Sequence, residues 1–188
     1  MRIAIISDIH DNVWNLGPAL EMLNGADALI CCGDLCSPFI VNLMADGFSD
    51  HIHIVFGNND GDQYRITNNA IKYDGRVIVH GEFAELTLAG RRFAVNHYPN
   101  IARLIAESGD FDVVCYGHNH IYKVEECGNT LMINPGAIMG YDGVNRKEIP
   151  STFVLYDTES SECKGYEVKS RDNISTKSRM VTDYDSGC

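Results

Sequence analysis

Arg2-Ile3-Ala4-Ile5-Ile6-Ser7-Asp8-Ile9-His10 decides the fold. Arg2 to Ser7 is a continuous run rich in β-branched residues, the pattern of a strand buried on both faces at the centre of a sheet. It then breaks directly into a carboxylate and an imidazole. Asn12 to Asn24 follows, with Leu16, Leu20 and Leu23 at helical spacing and Asn24-Gly25 as the stop. Ala26 to Cys32 is the next strand. Strand, helix, strand is a βαβ unit, which favours a parallel pair with a right-handed crossover and brings both exit loops to one edge. Asp8, His10 and Asp34 are therefore expected to lie together.

The same construction recurs along the chain. Cys32-Gly33-Asp34 follows Ala28 to Cys31, Gly57-Asn58-Asn59-Asp60 follows Ile52 to Phe56, Asn96-His97 follows Phe93 to Val95, and Gly117-His118-Asn119-His120 follows Val113 to Tyr116. A single His-x-His reads as an exposed loop. Five apolar runs that each end in a carboxylate, amide or imidazole read as a metal site, because neutral imidazole suits zinc, manganese, nickel or iron. Asp8, His10, Asp34, Asn58, His97, His118 and His120 are too many donors for one tetrahedral ion and fit two neighbouring ions that share a carboxylate. Gly33 permits close backbone approach beside Asp34, the natural bridge.

Elsewhere, Ser37-Pro38 opens a helix through Ile40, Val41, Leu43 and Met44, and Gly61 to Asn69 reads as a short helix or loop. His51 and His53 share a face of the strand His51 to Phe56 and read as surface or edge residues. From Lys72 onward the chain is mostly strands joined by hairpin signals such as Ala89-Gly90 and Gly128-Asn129, interrupted by the helix Ile101 to Glu107. The pattern predicts an α/β fold, two packed mixed sheets with helices outside. It spans one domain over residues 1–169, followed by a polar, loosely held tail over 170–188. Trp14 is placed in the core, and His80 is structural.

The chain has 188 residues and a formal net charge of −11, so its field repels long polyanions and anionic membranes. Seven cysteines, an odd number scattered through strands, suit a reducing compartment; Cys31 and Cys32 must face opposite sides of a sheet. The run beginning at Arg2 leaves no room for a signal peptide, and no apolar stretch approaches the ~20 residues of a spanning helix. A cytoplasmic location is expected, as monomer or homodimer.

The order and spacing of SDIH, GD, GNND, NH and GHNH resemble the calcineurin-like metallophosphoesterases, above all their small single-domain archaeal and bacterial phosphodiesterases. Asn134-Pro135-Gly136 matches a further turn of that family. The resemblance implies an αββα sandwich in which one divalent ion is held by Asp8, His10, Asp34 and His120. Asp34, Asn58, His97 and His118 would hold a second. It implies hydrolysis of small phosphodiesters, with phosphomonoesters or a scaffold role, as in a retromer subunit that resembles this branch, as alternatives. Manganese is the first choice of metal, with nickel, cobalt, iron or zinc behind it.

Charge arithmetic supports anion binding. Two divalent ions against Asp8, Asp34 and a bridging hydroxide leave about one positive charge in a low-dielectric cleft. The resemblance implies a catalytic set of Asp34, Asn58, Asn59, Asp60 and His118. Two positions depart from the family. Asn59 stands where many members carry a histidine paired with the following acid, here Asp60, so it offers a phosphate oxygen a hydrogen bond but no proton. Tyr98 stands where a glycine is usual, where it narrows the pocket, stacks on a base, or only caps the Pro99 turn.

Overall fold

The computed structural model describes residues 1–169 and the strand at 180–181. The tail expected over 170–188 otherwise lies outside the described residues. In chain order the first half comprises β1 (Arg2–Ile6), α1 (Val13–Met22), β2 (Ala28–Cys31), α2 (Phe39–Gly47), β3 (His51–Ile54), α3 (Gln63–Ile71), β4 (Val77–Val79), β5 (Phe83–Leu88) and β6 (Arg91–Asn96). There follow α4 (Pro99–Ser108), β7 (Val113–Cys115), β8 (Tyr122–Cys127), β9 (Thr130–Pro135), β10 (Tyr141–Asp142), β11 (Lys147–Glu148), β12 (Thr152–Asp157), β13 (Cys163–Glu167) and β14 (Met180–Val181).

The strands form a seven-stranded sheet in the order β14-β13-β12-β1-β2-β3-β4 and a five-stranded sheet in the order β5-β6-β7-β9-β8. Strand β1, apolar and buried after the exposed Arg2, runs parallel to β2 and antiparallel to β12, so it is central as its composition requires. Three apolar layers result. Residues of α1, α2 and α3 pack on one face of the larger sheet, including Leu16, Leu20, Ile40 and Met44. Ile3, Ile5, Phe93, Val95 and Tyr156 fill the space between sheets, and Ala102 and Ala106 of α4 cover Val114 on the far side. Helix, sheet, sheet, helix is thus the layer order. Cys31 and Cys32 face opposite layers, as strand alternation demands.

Several local expectations change. Trp14 is 80 % exposed at the start of α1 rather than in the core, because Leu16, Ala19, Leu20 and Leu23 already complete that helix's buried stripe. The segment after Gly61 is a helix, started by the Asp62 side chain accepting from the Arg65 N–H. Strand β13 and the β10–β11 hairpin carry too little apolar alternation to be read from sequence. His53 is half-buried one strand in from β4, and its Nδ1 lies 3.1 Å from His80 Nε2, so the two histidines satisfy each other away from the strand-end donors.

Register decides what the strand ends do. Ile6 pairs with Cys31 and Cys31 with Ile54, while Val95 pairs with Cys115, so the loops after β1, β2, β3, β6 and β7 emerge at one edge. They interlock there: the Asp8 N–H donates to Gly33 O, the His10 N–H to Asp34 O, and the Gly117 N–H to His97 O. Buried Asn134 adds a latch, donating to Gly117 O and Asn119 Oδ1 while accepting from the Gly136 N–H. Asn134→Ala is expected to lower unfolding free energy by about 1–3 kcal/mol, because it strips the partner from buried polar groups. Urea denaturation with the m-value held constant checks this.

Candidate metal centre

Asp8, His10, Asp34, His118 and His120 all sit in the left-handed backbone region, with φ of 53°, 45°, 57°, 76° and 60°. Such angles are unusual for residues other than glycine and concentrate where surrounding structure enforces a functional geometry. Here the enforcement is the loop interlock. Gly33 and Gly117 make the crowding possible. A Cβ on Gly33 would meet Gly57 N at 2.7 Å and His97 Nδ1 at 2.9 Å, and one on Gly117 would collide with Ser7 Oγ.

All seven predicted donors converge. Asp8, His10 and His120 present ligand atoms within 4.8 Å of one another, as do Asp8, Asp34 and His97. Asn58 joins them through its Oδ1, which lies 3.2 Å from His97 Nε2 and 2.8 Å from His118 Nδ1. Asp8, Asp34 and His97 form a buried floor, His10 and His120 half-buried walls, and Asn58 and His118 an exposed rim.

The protonation pattern shows what this cluster lacks. His97 Nδ1 lies 2.7 Å from the Cys32 carbonyl and His120 Nδ1 3.0 Å from the Tyr141 carbonyl. A carbonyl only accepts, so each Nδ1 carries the hydrogen and the neutral ring turns the lone pair of Nε2 inward. Those lone pairs face other acceptors. His97 Nε2 is 3.4 Å from Asp34 Oδ2, His120 Nε2 is 3.3 Å from Asp8 Oδ1, and His120 Nε2 lies 3.2 Å from His10 Nε2. Fully buried Asp8 Oδ1 accepts no hydrogen bond. An orphaned carboxylate oxygen among inward lone pairs is costly unless positive charge sits between them, so the residues fit a metal.

Without metal, protons take that place. Burial opposes charge on Asp8, but the attraction of His10 and His120 beside its oxygens holds its carboxyl well below the usual range. Asp34 is lowered in the same way, burial being outweighed by His97 and the Asn59 amide. Burial also works against charge on His97, yet Asp34 and then Asp8 raise its pKa above the ordinary 6.5, and the Asp8 contact raises that of His120.

Asn59 and Asp60 both make hydrogen bonds to Asp34. The Asn59 N–H donates to Asp34 Oδ1 and its Nδ2 to Asp34 Oδ2, both at 2.8 Å, so this residue orients Asp34 while its second amide hydrogen stays open to other partners. Asp60 accepts the backbone N–H groups of Asp34, Cys36 and Gly57, tying two loops together rather than pairing with Asn59. Tyr98 makes no side-chain capping bond at α4; its ring lies 5.2 Å from that of His97 and 5.3 Å from that of His118, walling one side of the rim. Sequence reasoning missed the outer partners Cys32, Cys36 and Tyr141, two of which act through carbonyls that carry no sequence signal.

This fold and donor set define a metal-binding phosphoesterase, and comparison with known proteins agrees. The chain belongs to the calcineurin-like phosphoesterase superfamily, whose domain description matches residues 1–161. It is 31 % identical over 166 residues to Phosphodiesterase MJ0936 of Methanocaldococcus jannaschii, covering 86 % of this chain and 96 % of that one. A solved archaeal phosphodiesterase superposes with a TM-score of 0.80 at 29 % identity, covering 89 % of this chain and 99 % of that chain. Vacuolar Protein Sorting 29 from Cryptosporidium parvum shares the fold, with a TM-score of 0.71 at 19 % identity and 96 % of each chain covered.

A pH dependence follows. His97 and His120 keep protons in the folded chain at pH values where the unfolded chain has released them. Their stabilisation is complete below about pH 6.5 and is lost as pH rises through their raised folded values. The thermal midpoint of metal-stripped protein should therefore fall as pH rises above about 6.5, and saturating divalent metal should remove that fall. Scanning calorimetry across pH with EDTA or metal checks both halves.

Proposed function

We propose that this chain is a dinuclear, metal-dependent phosphodiesterase acting on small esters. The observation that carries this reading is the position of Asp34: its Oδ2 lies 3.5 Å from His10 Nε2 and 3.4 Å from His97 Nε2, between two sets of donors. On this reading Asp8, His10, Asp34 and His120 hold one ion, and Asp34, Asn58, His97 and His118 the other. Manganese is the preferred metal, ahead of nickel, cobalt, iron and zinc. When bound, such a pair supplies Lewis acidity toward phosphoryl oxygens and ionises water near neutral pH.

The protein's own groups set the rest. Asp8 and Asp34 bring two negative charges against four, and neutral Asn58 adds none, so the open rim stays attractive to a phosphate. Asn58 and His118, the exposed donors, mark the side from which the ester arrives. Because the neutral Asn59 amide gives up no proton near neutral pH, no general acid stands at that place, and the leaving group departs as its anion. Likeness to a phosphodiesterase supports diesters over monoesters. The net charge of −11 favours small substrates over polynucleotides, and six unpaired thiols among the described cysteines support the cytoplasm. Among the described residues no helix is long and apolar enough to cross a membrane.

The reading is tested with bis-p-nitrophenyl phosphate and p-nitrophenyl phosphate in the presence of Mn²⁺, Ni²⁺ or Co²⁺, alongside elemental analysis. Hydrolysis of the diester should exceed that of the monoester, and Asp34→Ala should abolish turnover and leave fewer than two ions per chain. Absence of hydrolysis with every metal would overturn the assignment. Across a series of aryl diesters, kcat/KM should fall steeply as the pKa of the departing phenol rises. A flat series would show that a proton donor assists departure after all.

A further inference from the structure

We infer that Cys36 is the positioning residue of His10, a role that rests on the metal-binding reading above. Three histidines turn Nε2 into the donor cluster, and each has a hydrogen-bonding atom behind it at Nδ1. For His97 this is the Cys32 carbonyl at 2.7 Å and for His120 the Tyr141 carbonyl at 3.0 Å. For His10 it is Cys36 Sγ at 3.6 Å. His118 differs, since it turns Nδ1 itself toward Asn58. Donation from Nδ1–H fixes the tautomer that leaves Nε2 free to bind and holds the ring's orientation, so losing such an outer partner commonly weakens metal affinity.

The loop is built to hold that sulfur in place. Cys36 has φ of 73°, a left-handed backbone that a β-substituted residue resists. Its N–H is pinned by Asp60 Oδ1 at 2.9 Å, the same carboxylate that pins Asp34, and the next residue is pinned through both its N–H and its hydroxyl by Asp11. These anchors aim Cβ, and hence Sγ, at the back of the His10 ring. Sulfur accepts more weakly than a carbonyl, so His10 is the least firmly held of the three rings. It is also the one whose partner is a side chain and can be changed without touching the main chain.

The experiment compares wild type, Cys36→Gly and Cys36→Asn as full-length, metal-stripped protein. Glycine suits the left-handed angle, so that variant removes the acceptor without straining the loop. Asparagine also tolerates this angle. It carries its oxygen further out than sulfur, which matches the shorter N–H···O distance. Calorimetric titration with Mn²⁺ should show affinity about 10- to 100-fold weaker for Cys36→Gly and near wild type for Cys36→Asn. Nitrogen-15 NMR of the metal-free proteins should show His10 as the Nδ1–H tautomer in wild type and Cys36→Asn, and as a mixture in Cys36→Gly.

Wild-type affinity and a single tautomer in Cys36→Gly would overturn the inference while leaving the metal site intact. Equal weakening in Cys36→Gly and Cys36→Asn would also overturn it, since an acceptor behind Nδ1 would then not be what matters. Wild-type protein that binds no Mn²⁺ would instead remove the parent reading, and the role of Cys36 with it.

Discussion

The structure depends on a repulsion that it does not itself relieve. Lone pairs of His97, His120 and Asn58 and the oxygens of Asp8 and Asp34 are forced toward common points, and although Asn59 donates to Asp34 and the His118 N–H to Asp8 Oδ2, Asp8 Oδ1 is left without a donor. Protein interiors pair their buried polar atoms, so a buried orphan such as Asp8 Oδ1 marks a place completed from outside. A cation is the one species whose arrival turns every one of these contacts from unfavourable to favourable. The same logic explains why the proton affinities of His97 and His120 are raised: a proton is the nearest substitute.

Holding such groups together has a structural cost, and the architecture shows where it is met. Five donors occupy left-handed backbone that loops alone would leave. They are kept there by cross-loop bonds, by the three amides gathered on Asp60, and by the Asn134 latch. Behind those loops, two sheets packed face to face and covered by helices supply the rigid base. The strain is concentrated at the site, and the stabilisation comes from apolar burial beneath it.

The departures from the family acquire physical meaning only in this frame. An asparagine in place of a histidine looks in the sequence like the loss of a proton donor. In three dimensions it is also the gain of a clamp, since Asn59 grips both oxygens of Asp34. A tyrosine in place of glycine looks like either a cap or a stacking platform. It occupies the N-cap position of α4 but caps with its carbonyl alone, while its ring buttresses those of His97 and His118.

Much of this was legible in the chain itself. Apolar runs of strand length that end in Asp, His or Asn specify both the central strands and the donors, because period-two burial and ligand chemistry are properties of residue type. That is why β1, β2, β6 and β7 and the seven residues that converge at the strand ends could be read directly, along with the opposed faces of Cys31 and Cys32. What residue type does not encode is which atoms meet across loops. The hydrogens on His97 and His120 are placed by carbonyls of Cys32 and Tyr141, and every residue has a carbonyl. The exposure of Trp14, the pairing of His53 with His80, the commitment of Asn59 to Asp34 and the sulfur behind His10 were likewise decided by register and loop closure. Those are distances between segments far apart in the chain, and only the packed tertiary structure sets them.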